Sequence, residues 1–222
     1  PFRMIAGVSS SDDLVDGPFW NYPGGGYPNK VYCVNNITGS SSNDGADWST
    51  PMDQINTAVD AWEAYRAAQT ATNAYVRGII YVQGTGTAYT KMDLLPNYCD
   101  IIGIGADPRG NGSGIARVSA TTGVDTVDEA TGVRGLGLYN LQFTGSGTGY
   151  SMDVAVMFRS VIENCVFCNK STGGLRIVTG GGITFRNNHI GSDTTWATDG
   201  MLVGTSGGNF NNCLVEDNVI WG

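Results

Sequence analysis

Charged side chains are scarce in this chain: they make up 14 % of its 222 residues, against about a quarter in an average soluble domain. Lys and Glu are too few for a coiled coil, and the 33 glycines have no three-residue period, which excludes collagen. No apolar run approaches the roughly 20 residues that cross a bilayer. Because hydrophobic residues still make up 41 %, intrinsic disorder is excluded as well. The composition therefore predicts one soluble, β-rich domain with a sizeable core.

Basic residues are few: 12 Lys and Arg stand against 20 Asp and Glu, and the net charge is −8. An acidic surface repels phosphate backbones, so we expect no nucleic-acid partner, and no membrane partner either. Histidine occurs once, at His189, and the single C-x-x-C, Cys165 to Cys168, lacks the further ligands that zinc requires. The other cysteines (Cys33, Cys99 and Cys213) have no framework spacing. We expect small, buried, reduced cysteines in a protein made in a reducing cytoplasm.

The N-terminal 30 residues are predicted to form an irregular arm, because the run 21–28 is rich in Gly and Pro. No signal-peptide pattern precedes it, so we expect Pro1 to be the natural start, the alternative being a signal that has been removed. Trp20, Tyr22 and Tyr27 cluster in this arm. Such rings stack on sugars or dock onto proteins, and we favour docking because Tyr and Trp are enriched at interfaces.

One amphipathic helix is predicted over 51–70. Apolar residues recur there at helical spacing, at Met52, Ile55, Ala58, Val59 and Trp62. The preceding Ser-Thr-Pro (49–51) predicts an N-cap followed by Pro in the first turn. Strands are predicted over 30–34, 78–83 and 99–104. The polar run 40–43 lacks the acidic spacing of a calcium loop, so we expect a turn.

Four segments of the second half share one pattern: apolar, variable, Asn or Asp, small or polar, variable, apolar. They span 138–143, 162–167, 185–190 and 215–220, and their starts lie 24, 23 and 30 residues apart. No such unit buries its apolar face alone, but stacked units share one core. The pattern is typical of a β-solenoid.

The stacking makes specific predictions about each column of residues. Asn and Asp tolerate the left-handed backbone region, so the third position of each segment predicts a repeated bend. Stacked turns place Arg186 between Glu163 and Glu216, which forms a charge ladder. Asn188 lies over Asn218, where an amide ladder is expected.

These repeats resemble the right-handed parallel β-helix of the pectate-lyase-like superfamily. The opening is also similar: strand 31–35, turn 39–45, and Trp48 three residues before Pro51, followed by the helix. The segment 100–105 resembles an early coil. The resemblance implies an all-β, right-handed parallel β-helix (solenoid) over 31–222, with the irregular arm 1–30 and one amphipathic capping α-helix at about 51–70. Clear coils cover about 133–222, and we expect the solenoid to continue beyond 222.

The superfamily includes lyases, which need acids to bind calcium and a base to take a proton. Asp193 and Asp199, with Asp153 on a neighbouring coil, are the candidate acids, and Arg176 and Arg186 are the candidate bases. Asp193 and Asp199 are also ordinary turn formers, and Lys170 lies in a turn. Glu163 and Glu216 are separated by Arg186, which indicates a structural ladder rather than a hydrolase pair. His189 points outward without an acidic partner. We therefore predict no catalytic set and no cofactor, calcium being the one candidate cation.

These observations lead us to expect a structural virion protein of a bacteriophage: a fibre, spike or capsid-decoration protein. It would dock on other virion proteins through its N-terminal arm, and the resemblance implies a homo-oligomer, a trimer in the family. The alternative is a polysaccharide lyase or hydrolase that acts on an acidic glycan, although the acidic surface would repel such a substrate. A secreted carbohydrate-binding adhesin is the third hypothesis.

Overall fold

The computed structural model describes residues 30–69, 76–191, 200–204 and 210–221. Within these ranges the chain forms one α-helix, α1 (Ile55–Ala68), and eighteen β-strands. In chain order the strands are β1 (Lys30–Val34), β2 (Gly78–Gln83), β3 (Cys99–Ile104), β4 (Arg117–Ala120), β5 (Asp128–Glu129), β6 (Val133–Arg134), β7 (Gly137–Tyr139), β8 (Gln142–Gly145), β9 (Tyr150–Phe158), β10 (Val161–Glu163), β11 (Val166–Phe167), β12 (Gly173–Gly181), β13 (Thr184–Arg186), β14 (His189–Gly191), β15 (Met201–Val203), β16 (Phe210–Asn211), β17 (Leu214–Glu216) and β18 (Val219–Trp221). The β-dominated fold and the three early strands are as the sequence predicts.

The strands form three sheets, in which the strand pairs are parallel. Sheet one has the order β1-β2-β3-β7-β10-β13-β17, and sheet two has the order β18-β14-β11-β8-β4. Sheet three has the order β15-β12-β9-β5, with β6 beside β9 and β16 beside β12. Parallel partners need a crossover connection, so each sheet joins segments that lie far apart in sequence.

From β7 onward the chain visits the three sheets in rotation. β7, β8 and β9 lie in sheets one, two and three, and β10, β11 and β12 repeat that order. β13, β14 and β15 do the same, and β17 and β18 follow in sheets one and two. We call each such passage a circuit. Equivalent strands of successive circuits pair with each other, so the repeat in the sequence is one circuit of the chain.

Apolar residues of successive circuits lie in register and form two continuous columns. The columns consist of Leu138, Ile162, Phe185 and Val215 in sheet one, and Phe143, Phe167, Ile190 and Ile220 in sheet two. The Phe143 and Phe167 rings stack with centroids 5.2 Å apart and an interplanar angle of 12°. Both rings are fully buried, and burial of a Phe side chain stabilises a fold by about 1.5–3 kcal/mol. The alignment predicted from the sequence is confirmed.

The third position of each repeat is a left-handed bend, as predicted. Asn140, Asn164, Asn187 and Asp217 have φ between 52° and 56°. The asparagines are also linked along the stack: Asn164 Nδ2 donates to Asn140 Oδ1 at 3.0 Å, and Asn187 Nδ2 donates to Asn164 Oδ1 at 3.3 Å. Each asparagine therefore permits the bend and joins its circuit to the preceding one.

The next position carries the predicted amide ladder, which lies inside the protein. Asn188 is fully buried, and its Nδ2 donates to Asn218 Oδ1 and to Ile162 O, both at 2.9 Å. Its Oδ1 accepts the Cys165 N–H at 2.9 Å. The Asn188 side chain thus hydrogen-bonds to backbone groups of the preceding circuit and to a side chain of the following one. A buried amide requires such partners for its polar atoms.

Helix α1 packs against β1 and β2 with Ile55, Ala58, Val59 and Trp62 buried. The Trp62 Nε1–H donates to Asn97 O at 2.7 Å. A Cβ at Gly78 would lie 2.6 Å from the Trp62 ring, so the close packing of the indole on β2 requires glycine there.

The predicted N-cap at Ser49 or Thr50 is wrong. Met52 forms a parallel bridge with Val34, and its N–H donates to Cys33 O at 2.9 Å. This pairing keeps the backbone extended where the helix was expected to begin. The helix starts at Ile55 instead, after Gln54, which makes no side-chain cap. The run 40–43 is a turn, as predicted.

Glu129 is a buried carboxylate that holds two loops together. Its Oε2 accepts the Leu95 N–H at 2.7 Å, and its Oε1 accepts the Thr131 N–H, the Thr131 hydroxyl and the Gly132 N–H at 2.6 to 2.8 Å. Burial alone raises the pKa of this carboxyl, but the four donors outweigh it, so the pKa lies below its usual value.

We expect Asn188→Ala to lower the free energy of unfolding by roughly 3 kcal/mol, because it leaves the buried Cys165 N–H and Ile162 C=O without partners. Urea denaturation measures this change. Asn187→Gly is the matched control: glycine accepts the same backbone angles, and we expect a loss within about 1 kcal/mol. Similar losses for the two variants would contradict the assigned role of Asn188.

We expect Glu129→Gln to lower the free energy of unfolding by about 2 kcal/mol at pH 7, because an amide cannot accept all four donors. A lowered folded-state pKa contributes stability above the unfolded value of about 4.3, and that stability is lost as the pH falls through the folded pKa. The difference in the free energy of unfolding between Glu129→Gln and the parent protein should therefore shrink below about pH 4. Urea titrations at several pH values test this, with Glu216→Gln as a half-exposed control. If this difference in unfolding free energy did not depend on pH, the role assigned to the Glu129 carboxylate would be contradicted.

Candidate functional site

Five candidate residues fall outside the residues that the structure describes. These are Trp20, Tyr22 and Tyr27 of the predicted docking arm, and Asp193 and Asp199 of the loop 192–199. Their roles stay predictions from the sequence. The other candidates lie on the outer faces of the sheets.

Arg186 lies on the outer face of sheet one, between two carboxylates. Its Nη2 is 2.7 Å from Glu163 Oε2, and its Nη1 is 3.6 Å from Glu216 Oε1. The hydrogen bonds that Arg186 donates to Glu163, together with the nearby negative charges, raise the pKa of the guanidinium. This confirms the predicted charge ladder. A guanidinium held as a cation between two acids is poorly suited to remove a proton.

Asp153 and Arg176 were proposed for different roles, as a calcium ligand and a base, but they pair with each other. They lie opposite one another on β9 and β12. Arg176 donates two hydrogen bonds to the carboxylate, from Nε to Oδ1 at 2.7 Å and from Nη2 to Oδ2. The guanidinium also covers the Tyr150 ring, 4.6 Å from its centroid. The hydrogen bonds that Arg176 donates to Asp153 raise the pKa of its guanidinium. The pair braces two circuits of sheet three.

The start of this outer face is acidic. Asp128 lies beside Asp153 in the register of β5 and β9. Burial raises the pKa of Asp128, and the charges of Asp125 and Asp153 raise it further, while Lys91 opposes them. We call Asp125, Asp128, Asp153 and Arg176 the sheet-three face. Among the residues that the structure describes, no group of three or more His, Cys, Asp or Glu side chains is arranged to hold a metal ion.

Lys170 has a role that the sequence did not reveal. It is fully buried, and its Nζ donates to Thr121 O and Val124 O, both at 2.7 Å, and to Ser146 O at 3.3 Å. Burial lowers the pKa of the ammonium, and the Asp125 carboxylate opposes that effect. The Lys170 ammonium thereby links its own loop by hydrogen bonds to the loops of the two preceding passages of the chain. The only sequence signal was a lysine in an otherwise polar turn, which usually means an exposed side chain.

The thiols are mostly inaccessible. None of the five cysteines forms a disulfide bond, and Cys33, Cys99 and Cys165 are buried. Burial raises the pKa of Cys33 and of Cys165 to about 12. Such thiols are poor nucleophiles and poor metal ligands at neutral pH. The predicted burial holds for these three, while Cys168 and Cys213 are half-buried.

His189 lies on the outer face of sheet two, between Val166 and Val219 in the strand register. The side chain is half-buried. In the described part of the chain, no helix is long and apolar enough to span a membrane.

Taken together, the charged groups on the described outer faces are mainly arranged as cation–carboxylate pairs between neighbouring circuits. Arg77 and Asp100 add a further pair near the start of sheet one, where Arg77 also donates to Gly135 O at 2.9 Å. Such pairs hold adjacent strands in register, so the role that their geometry supports is structural.

We expect Lys170→Met to lower the free energy of unfolding by about 2–4 kcal/mol, because three carbonyls lose a charged donor in a buried setting. Lys91→Met is the control: Lys91 forms an exposed ion pair with Asp93, which is worth at most about 1 kcal/mol. Thermal and urea denaturation measure both. If Lys170→Met lowered the free energy of unfolding no more than Lys91→Met does, the Lys170 ammonium would not stabilise the fold in the way described.

Comparisons with known proteins were made at three levels. No protein-family model, no curated protein sequence and no solved structure matches this chain. Its function is therefore argued from its own residues.

Proposed function

We propose that this chain is a right-handed parallel β-helix that serves as a structural protein of a bacteriophage particle, as a fibre, spike or capsid-decoration protein. In this proposal the arm 1–30 docks on other virion proteins, and the β-helix is presented outward as a homo-oligomer. The rotation of the chain through three parallel sheets supports the fold part of this proposal.

The pairing of outer charges along the stacking direction is the observation that carries the functional part. Glu163, Arg186 and Glu216 form one such line, and Asp153 with Arg176 forms another. Ion pairs, asparagine ladders and the buried Lys170 all join one circuit to the next. Contacts of this kind resist separation of neighbouring circuits, which suits a stiff rod.

The cysteines support synthesis in a reducing compartment. Five cysteines without a disulfide bond are unusual for a protein that folds in an oxidising one. A phage protein folds in the host cytoplasm before assembly, which suits this chemistry. A secreted adhesin or glycan-degrading enzyme folds after export and suits it less.

The sheet-three face favours a second candidate function, cleavage or binding of a glycan. Asp128, with its raised pKa, lies near the carboxylates of Asp125 and Asp153, and Asp153 is paired with Arg176, whose guanidinium covers the Tyr150 ring. Carboxyls with a raised pKa are typical of general acids. The same carboxylates repel an acidic glycan, so we place this candidate second.

Immunogold electron microscopy tests the proposal. Antibody raised against residues 31–222 is applied to material from the source culture, with pre-immune serum as the control. We expect gold on phage particles, at the head or at the tail, because a structural protein stays with the assembled virion.

Soluble antigen with no gold on particles would contradict the structural role. The same material is screened for cleavage of acidic polysaccharides, with Asp128→Asn as the comparison. Cleavage that is lost in Asp128→Asn, without labelled particles, would favour the second candidate.

A further inference from the structure

The loop that joins β3 to β4 has a fixed base and an exposed tip. The Ala106 N–H donates to Gly114 O at 2.7 Å, which closes the loop at its base. Gln142 Nε2 donates to Pro108 O at 2.7 Å, so the first half of the loop is also held against sheet two. Residues 109–113, which we call the loop tip, are exposed.

The loop tip contains a chemically reactive pair of residues. Asn111 and Gly112 form the only Asn-Gly pair in the 222 residues. The side-chain carbonyl carbon of an asparagine lies within reach of the backbone nitrogen of the next residue. A Cβ on that next residue hinders the backbone angles that ring closure needs, and glycine removes this hindrance. The pair therefore has the local chemistry for cyclisation.

The surroundings of the pair leave it unrestrained. In the part of the chain that the structure describes, no hydrogen bond engages the Gly112 N–H or the Asn111 side chain. A Cβ at Gly112 would have no heavy atom within 4 Å. The backbone at this position can therefore rotate towards the geometry of a ring without displacing a neighbour.

Comparable pairs elsewhere in the described chain are restrained. Asp44 also precedes a glycine, but the Gly45 N–H donates to Thr50 O at 3.0 Å. The Cys165 N–H, directly after Asn164, donates to a buried side-chain amide oxygen at 2.9 Å. In both places the nitrogen that would have to attack is held by another acceptor.

We propose that Asn111 is a site of spontaneous covalent modification, at which the loop tip is converted to aspartyl and isoaspartyl forms. The Gly112 nitrogen gives its proton to a solvent base and attacks Asn111 Cγ. The Cγ–Nδ2 bond breaks, and Nδ2 takes up a proton from solvent and leaves as ammonia, which leaves a five-membered succinimide. Water then adds to one of the two ring carbonyls and gives aspartate or isoaspartate.

The modification changes the charge and the backbone of the tip. The product carries one more carboxylate, close in sequence to the exposed ion pair of Arg109 with Asp107. In the isoaspartyl form the main chain runs through the former side chain, and this form is the chemical class of substrate for isoaspartyl carboxyl methyltransferases. We expect the fold to persist, because the bonds that Ala106 and Pro108 make lie outside the tip.

Peptide mapping of the aged full chain tests the proposal. The chain is incubated in mildly alkaline buffer and digested with trypsin, which releases residues 110–117 and residues 160–170. Asn111 is the one asparagine of the first peptide, and the second carries Asn164 and Asn169. We expect the first peptide to become about 1 Da heavier while the second stays unchanged. Methylation by an isoaspartyl methyltransferase identifies the isoaspartyl product.

A free peptide separates the effect of the fold from that of the sequence. A synthetic peptide of residues 107–115 reacts at the rate that the Asn-Gly pair has without a fold. We expect Asn111 in the folded chain to react within about fivefold of this rate, because the tip is exposed and unrestrained. A rate that is slower by more than this factor would overturn the proposal.

Two glycine variants provide a matched pair. In Gly112→Ala the added methyl has open space, so we expect a folded protein whose Asn111 reacts at least about tenfold more slowly. In Gly110→Ala the new Cβ lies in ordinary contact, 3.4 Å from Asp107 O. This change does not touch the attacking nitrogen, so the rate should stay within about twofold of the parent rate. Circular dichroism verifies both folds.

Two further outcomes would overturn the proposal. One is an aged chain in which residues 110–117 keep their mass. The other is an equal rate in Gly112→Ala and Gly110→Ala. Both readouts follow the chemistry of the loop tip and are independent of whether the protein belongs to a phage particle.

Discussion

In-register parallel pairing between equivalent strands of successive circuits is the constraint on which the rest of this structure depends. Once Leu138, Ile162 and Phe185 pair as neighbours, each position of the repeat becomes a column that runs along the stack. A column is tolerated only if its residues are compatible at the spacing of adjacent strands, about 4.8 Å. Apolar columns then form the core, and charged columns stabilise the stack where their signs alternate, as in Glu163, Arg186 and Glu216.

The same constraint explains why polar groups inside the protein are satisfied by neighbouring circuits. Asn188 and Lys170 are fully buried, yet each finds backbone partners in neighbouring circuits, 23 to 26 residues away or, for Thr121, 49 residues away. A buried amide or ammonium without such partners would cost several kcal/mol. These contacts also prevent slippage of one circuit over the next, since a shift of one residue would break them all.

Stacking also connects the fold with the proposed function. Interactions that run along the stack resist bending and separation of circuits, which a particle component requires. Arg176 and Arg186, the two candidate bases, are both held in ion pairs of this kind.

The sequence by itself determined the repeat, the bends at Asn140, Asn164, Asn187 and Asp217, and the charge and amide ladders, because these are properties of columns that a constant interval makes visible. It also indicated the helix, although not its start, since the pairing of Met52 with Val34 is a long-range contact with no local signal. Only the tertiary structure decided that Lys170 is buried in a carbonyl cage, that Glu129 joins two loops, and that Asp153 faces Arg176. Those roles depend on which loops lie side by side, and loop lengths vary too much between circuits for spacing alone to predict them.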